Sequence, residues 1–175
     1  MVCCGWHAVS HGWHDRKVLD RESPWVRRLF KAPIRLYHWR LGSLLGHRFV
    51  LLEHRGRRSG TRYETALEVV KWDPEGEVVV VSGWGPAADW YRNVTAGGDV
   101  RITVGSRSFS ATHRVLPHDE AAEVLADYEH RNRYVRPVIN RMLGYLAGWH
   151  YDGSVEARRR LVEQLPMVAF RPTVP

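Results

Sequence analysis

FVLLEHRGRRSGTRYETALEVV, residues 49–70, decides the fold. Phe49–Leu52 is a short apolar run bounded by Gly46 and Gly56, which predicts a buried strand. Further on, Tyr63, Thr65, Leu67 and Val69 fall on one face of an extended segment, and Glu64, Ala66, Glu68 and Val70 on the other. Between them, Gly56–Gly60 is a hairpin link. Working outward, Asp73-Pro74-Glu75-Gly76 is a turn. Val78–Val81 then reads as a third strand buried on both sides, and 87–95 as a short helix. Val100–Val104 and Phe109–Val115 are two strands joined at Gly105-Ser106.

Beyond Pro117 the period becomes helical, with Ala121, Val124, Leu125 and Tyr128 on one face. Pro137 is expected to kink or end that helix, with 138–145 continuing it. Residues 154–165 form a last helix and Met167–Phe170 a final strand. The strands follow short connections, so the sheet should be mostly antiparallel. The expected architecture is α+β: a six-stranded barrel with helices outside it.

The chain has 175 residues, enough for one domain with a real core. Hydrophobic residues are 44% and charged residues 26%, an ordinary globular composition that excludes a low-complexity chain. No segment approaches the ~18–20 uninterrupted apolar residues of a membrane span. The two cysteines are adjacent, Cys3 and Cys4, so disulfides do not hold the fold and a reducing cytoplasm is the expected compartment. Residues 1–20 show no periodicity and read as a disordered tail, or as translation from an upstream start, ahead of a single domain over 21–175. Cys3, Cys4, His7, His11 and His14 lack the spaced thiolate pair of a zinc site, so no metal is expected.

Charge is uneven. Between Arg21 and Arg62 there are eleven basic and two acidic residues, about +9 of a net +7 for the whole chain. Such a field attracts nucleic acid, an acidic membrane surface or a polyanionic cofactor. Ser23-Pro24 starts a helix, and Trp25, Leu29, Leu36, Trp39 and Leu44 alternate with arginines across 24–45. Two readings stay open for it: a helix packed on the domain with a solvated basic face, or a peripheral membrane contact with snorkelling arginines.

Three segments carry chemistry. In Gly56-Arg57-Arg58-Ser59-Gly60-Thr61 the glycines allow backbone N–H groups to converge on an anion, while Arg57 and Arg58 add charge and Ser59 and Thr61 add hydroxyls. A solvated hairpin tip is the plain alternative. Ser82-Gly83-Trp84-Gly85-Pro86-Ala87-Ala88 contains G-x-G-x-x-A. The helix after it is short for a parallel crossover, and the next strand does not end in the acid that a ribose needs, so a Rossmann turn is rejected. Trp90 and Asn93, three apart on the short helix, share a face: a flat apolar wall and a donor–acceptor pair. Trp90 could equally fill the barrel end.

GRRSG, a strand ending in SGWG, then ADWYRN, then the hairpin VRITVGSRSFSATHRV resemble the deazaflavin-dependent nitroreductase family. That group contains quinone and nitro reductases of actinobacteria that use coenzyme F-420 (F420). The resemblance implies a split β-barrel and hydride transfer from reduced F420 to a quinone, nitroaromatic or activated double bond. It places Arg58, Ser59 and Gly60 on the coenzyme's phosphate tail, with Ser82 and Gly83 against the deazaflavin ring. Trp90 and Asn93 match the family's W-Y-x-N helix face. Two positions depart: Tyr63 stands where many relatives carry arginine, so one phosphate or carboxylate contact is either missing or taken over by Arg62, and Gly83 stands where relatives often carry lysine, so ring contacts differ. The substrate would lie near Trp84, with Ser82, Tyr128 and Tyr134 as candidate catalytic groups; the two tyrosines serve equally well as packing residues. FMN is the rival cofactor on this fold, a non-catalytic carrier of a fatty acid or other apolar ligand the rival function. Nucleic-acid binding lacks a recognition module.

Overall fold

The computed structural model describes residues 48–73 and 76–173. Across them six strands close an antiparallel barrel in the order β1-β2-β3-β6-β5-β4. The strands are β1 (Phe49–Arg55), β2 (Arg62–Trp72), β3 (Val78–Val81), β4 (Val100–Val104), β5 (Arg107–Val115) and β6 (Met167–Pro172). Four helices accompany them: α1 (Asp89–Thr95), α2 (His118–Arg131), α3 (Arg136–Ala147) and α4 (Val155–Gln164). This is the expected α+β barrel. The N-terminal tail and the basic segment 24–45 lie outside the described residues.

Period-two alternation turns one face of the strands into the barrel, and on β2, β3 and β6 the other face meets the helices. Val50, Leu52, Leu67, Val69, Val78, Val80, Ile102, Val168 and Phe170 fill the barrel. Val79, Met167 and Ala169 point the other way, under Leu125 and Tyr128 of α2 and Leu161 of α4. β3 therefore needs valine at every position, which is why its sequence does not alternate. β2 buries two consecutive residues on opposite faces, Val69 in the barrel and Val70 under the helices, and its register with β3 shifts between Val69 and Lys71.

Pro137 begins α3 rather than continuing α2. It sits in the first turn, where its missing N–H has no helical acceptor to lose. Ser154 caps α4, its Oγ accepting from the Ala157 amide at 3.1 Å. The G-x-G-x-x-A segment leads into α1, but β3 is antiparallel to β2 and β6, and β4 to β1 and β5. No parallel crossover exists there, in keeping with the rejected Rossmann turn. Instead α1 lies across one end of the barrel, adding Ala88, Trp90 and Val94 to its interior cluster.

Phe170 is the largest wholly buried side chain in the barrel cluster. Phe170→Ala is expected to lower stability by about 3–5 kcal/mol in urea unfolding; a loss below about 1 kcal/mol would mean that the interior collapses around the gap.

Candidate functional site

The inward faces of β1 and β2 change character at one end of the barrel. On β1 the series Val50, Leu52 continues to His54; on β2, Val69 and Leu67 are followed by Thr65 and Tyr63. Register places His54 opposite Tyr63 and Leu52 opposite Thr65. With α1 beside them, these residues border a cleft of about 350 Å³, lined by His54, Gly56, Arg57, Arg58, Ser59, Tyr63, Glu64, Thr65, Asp89, Trp90 and Asn93. The short hairpin loop and the short helix, 26 or more residues apart in sequence, thus form its two rims.

The loop differs from the expected nest of amides. Gly56 N donates to Thr61 O and Gly60 N to Gly56 O, both at 2.8 Å, so these glycine amides close the loop on itself. Gly60 sits at φ +66°, a left-handed position that glycine adopts without strain. Gly56 is needed for space instead: a Cβ there would lie 2.8 Å from the Tyr63 ring and 2.9 Å from Ser59 Oγ. What the loop offers a guest is therefore mainly side chains. Ser59 Oγ accepts from Thr61 N at 3.3 Å, which uses one of its lone pairs.

Its two arginines divide into different roles. Arg57 donates from its backbone N (3.2 Å) and Nη1 (2.9 Å) to Asn93 Oδ1, with Asp89 3.9 Å away. It is tied to α1. Arg58 is exposed, and no ion pair holds it among the described residues. Arg58 is the cation available to an anionic ligand.

Trp90 combines the two roles read for it: it is 5% exposed, packs in the barrel-end cluster, and lines the cleft. Asn93 lines the cleft too, but its carboxamide is already occupied by Arg57 and His54. Ser82, Gly83 and Trp84 are at the same barrel end, between β3 and α1, without lining the cleft. Ser82 is fully buried, its Oγ donating to Gly85 O at 2.7 Å and its amide to Pro166 O at 2.9 Å. Gly83 faces Leu146 of α3, and Trp84 packs partly buried on the barrel cluster.

The structure does not bring Tyr128 or Tyr134 to the cleft. Tyr128, on the buried face of α2, donates from its hydroxyl to Glu68 Oε1 at 2.8 Å, in a separate hollow of about 300 Å³ with Arg48 and Arg131. Burial, and then the neighbouring Glu68 carboxylate, push its phenol above the ordinary tyrosine value. Tyr134 is 84% exposed, with the Arg133 guanidinium over its ring at 4.6 Å.

Sequence reasoning missed His54, Thr65 and Asp89. A signal for His54 existed: it takes the inward position that follows Val50 and Leu52, where an aliphatic residue is otherwise expected. The ring is 4% exposed and stacks on Tyr63 with centroids 5.9 Å apart. Burial lowers its pKa from the ordinary value, opposed in part by a hydrogen bond with the Arg55 backbone and by Asp89.

The fold and its end are thus a closed antiparallel barrel with an arginine loop, a buried tryptophan and a cleft that carries charged groups. Its interior is filled by fully buried Val50, Leu52, Ile102 and Phe170, and the end cleft carries the charged or polar Arg57, Arg58, Asp89 and Asn93 beside Trp90 and Tyr63. The sequence model of the F420H(2)-dependent quinone reductase family matches residues 25–136. The chain belongs to that family, and is an F420-dependent reductase with F420 as its coenzyme. It is similar to a solved F420-H2 dependent reductase, FDR-A, at 19% identity over 72% of this chain and 96% of that one, TM-score 0.45. Another similar structure is HutZ, a heme storage protein from Vibrio cholerae, at 13% identity over 81% and 90% of the two chains, TM-score 0.49. A pyridoxamine 5'-phosphate oxidase-related, FMN binding protein from Nostoc punctiforme is 13% identical over 86% and 81%, TM-score 0.43. No curated protein matches significantly.

Gly56→Ala is expected to push the Tyr63 ring and Ser59 aside, lowering stability by about 1–3 kcal/mol and weakening coenzyme binding, read by thermal melting and by titration. Tyr128→Phe is expected to cost about 1 kcal/mol of stability through the lost bond to Glu68 and to leave turnover at the wild-type level; a collapse of turnover in a folded protein would contradict its placement.

Proposed function

We propose that the cleft between the 56–61 loop and α1 receives the anionic tail of F420, and that the enzyme reduces a quinone, a nitroaromatic or an activated double bond. The observation that carries this reading is the exposed Arg58 on a loop whose partner arginine is fixed to α1. F420 carries a phosphate and glutamyl carboxylates. The donor set suits that chemistry: residues 55–63 hold four arginines, two hydroxyl residues beside the glycines, and no acid. Glu64 and Asp89 also border the cleft, with Asp89 facing Arg57.

In this reading Arg58 binds the tail directly, with Ser59, Gly60 and Thr61 setting the loop around it and Arg57 holding the loop in place. Arg62, exposed next to Tyr63, stands in for the arginine that relatives carry at the position of Tyr63. Trp90 offers an apolar wall at the inner end of the cleft. Gly83 and Trp84 border the ring from the adjoining turn, which buried Ser82 holds in shape, with Leu146 of α3 nearby to exclude water. When bound, reduced F420 supplies the hydride, so no nucleophile or carboxylate pair is required of the protein. A quinone is the substrate class the family name suggests.

Among the described residues no helix is long and apolar enough to cross a membrane. The proposed peripheral contact through 24–45 falls outside the described residues.

Titration with F420, followed by the coenzyme's absorbance, is expected to show binding at micromolar concentration, and menadione to re-oxidise the reduced coenzyme. Arg58→Ala is expected to raise Kd by about tenfold or more, the value of one charge-assisted contact. No binding at micromolar F420, or an unchanged Kd in Arg58→Ala, would overturn the reading.

A further inference from the structure

One feature of the cleft is a line of hydrogen bonds running from the barrel interior to the loop. Both Arg57 donors meet Asn93 Oδ1, at 3.2 and 2.9 Å. A guanidinium and an amide N–H can only donate, so the carboxamide oxygen must face Arg57. Asn93 Nδ2 then faces His54 Nδ1 at 3.3 Å and donates to it. His54 Nδ1 must therefore carry a lone pair. The ring proton is left on Nε2, which lies 3.5 Å from Thr65 Oγ1. Arg57 thus selects the orientation of Asn93, and Asn93 selects both the tautomer and the charge of His54.

A second proton on His54 breaks this order. It would set N–H against N–H at the Asn93 contact, and turning the carboxamide to repair that would present Nδ2 to the two Arg57 donors. Proton uptake and the docked loop exclude each other. We propose that neutral His54 is a positioning residue for F420: acting through Asn93, it holds Arg57 and the 56–61 loop in the arrangement that receives the coenzyme's tail, and its protonation releases that loop. The role rests on the cleft being the tail site.

The other charged and titratable groups around His54 are Asp89 from α1, Arg57 and Arg58 from the loop, Tyr63 and Glu64 from β2, and Arg55 on β1 with its partner Asp99 ahead of β4. The Arg55 backbone and then Asp89 favour the proton, but burial outweighs both and lowers the pKa of His54 below the ordinary 6.5. Between that lowered value and 6.5 the undocked loop binds a proton that the docked loop does not, so docking weakens as pH falls through this window.

The experiment pairs histidine NMR with F420 titrations from pH 8 to pH 5 on wild type, His54→Gln and Asn93→Asp. Comparing the His54→Gln spectrum with that of wild type assigns the His54 signal among the ten histidines. The expected wild-type result is an Nε2–H tautomer, a midpoint below 6.5, and a Kd that rises by up to about tenfold per pH unit as pH falls through the window below 6.5. The ratio of wild-type to variant Kd at each pH cancels any titration of the coenzyme itself. Glutamine does not titrate, so that ratio should climb as pH falls. In Asn93→Asp the carboxylate can accept from Arg57 and from a protonated imidazole together. The His54 midpoint should then move up past 6.5 and the acid weakening should vanish.

An Nδ1–H tautomer, a midpoint at or above 6.5 in wild type, or a flat Kd ratio with His54→Gln would each overturn the positioning role. A low midpoint that Asn93→Asp raises, with no F420 binding by any form, would instead overturn the assignment of the cleft as the tail site, and the role with it.

Discussion

Closure of the barrel by its last strand is the constraint on which the rest depends. β6 pairs with β3 along one edge and with β5 along the other, and it brings Val168 and Phe170 into the interior. Without it both neighbours would present a row of unpaired N–H and C=O groups. The closure also fixes the site. The residue before β6, Pro166, accepts from Ser82 N at 2.9 Å, which sets the direction in which the chain leaves β3. Gly85, at φ +63°, then passes so close to the end of α4 that a Cβ would lie 2.8 Å from Gln164 O. Clamped there, the turn delivers α1 to the barrel end, and Trp90 and Asn93 to the 56–61 loop.

What holds the loop against α1 is polar, and its geometry is demanding in proportion. Asn93 is 7% exposed and His54 4%, so donors and acceptors left unmatched there have little water to turn to. Each member uses the hydrogen-bonding capacity of the next: guanidinium to carboxamide oxygen, carboxamide nitrogen to imidazole. Such a line is rigid while every partner is satisfied and fails at whichever one changes protonation. Arg58, beside it, has the opposite character, being exposed and free to follow a ligand. One loop thus combines an anchored arginine with an exposed one.

The hydrophobic pattern made much of the architecture legible. Val78–Val81 and Val100–Val104 match their strands, and Ser154 caps the last helix as its hydroxyl suggests. Boundaries were harder where tertiary contacts intervene. β2 runs on to Trp72 because pairing with β3 extends it past its alternating stretch, through a bulge that no local pattern announces. Pro137 was ambiguous because a proline ends one helix and begins another with equal ease. In the candidate site, the arginine loop, Trp90 and Asn93 could be read from residue type and spacing. His54 left a signal in the strand alternation, a polar residue at an inward position, whereas Thr65 and Asp89 left none, because each becomes part of a cleft only through pairing or docking with a distant segment.

By itself, then, the sequence determined the alternation that builds six strands, the glycines that let Gly56–Thr61 turn, and the arginines and aromatic residue that face a charged, flat coenzyme. These are local properties: dihedral freedom, period and charge belong to a residue and its near neighbours. Only the tertiary structure decided that the two arginines differ, that the glycine amides serve the loop rather than a guest, and that Tyr128 and Tyr134 lie away from the cleft. Those outcomes depend on which partner each donor meets across the barrel end, and a partner 36 residues away, as Asn93 is from Arg57, is set by closure of the sheet.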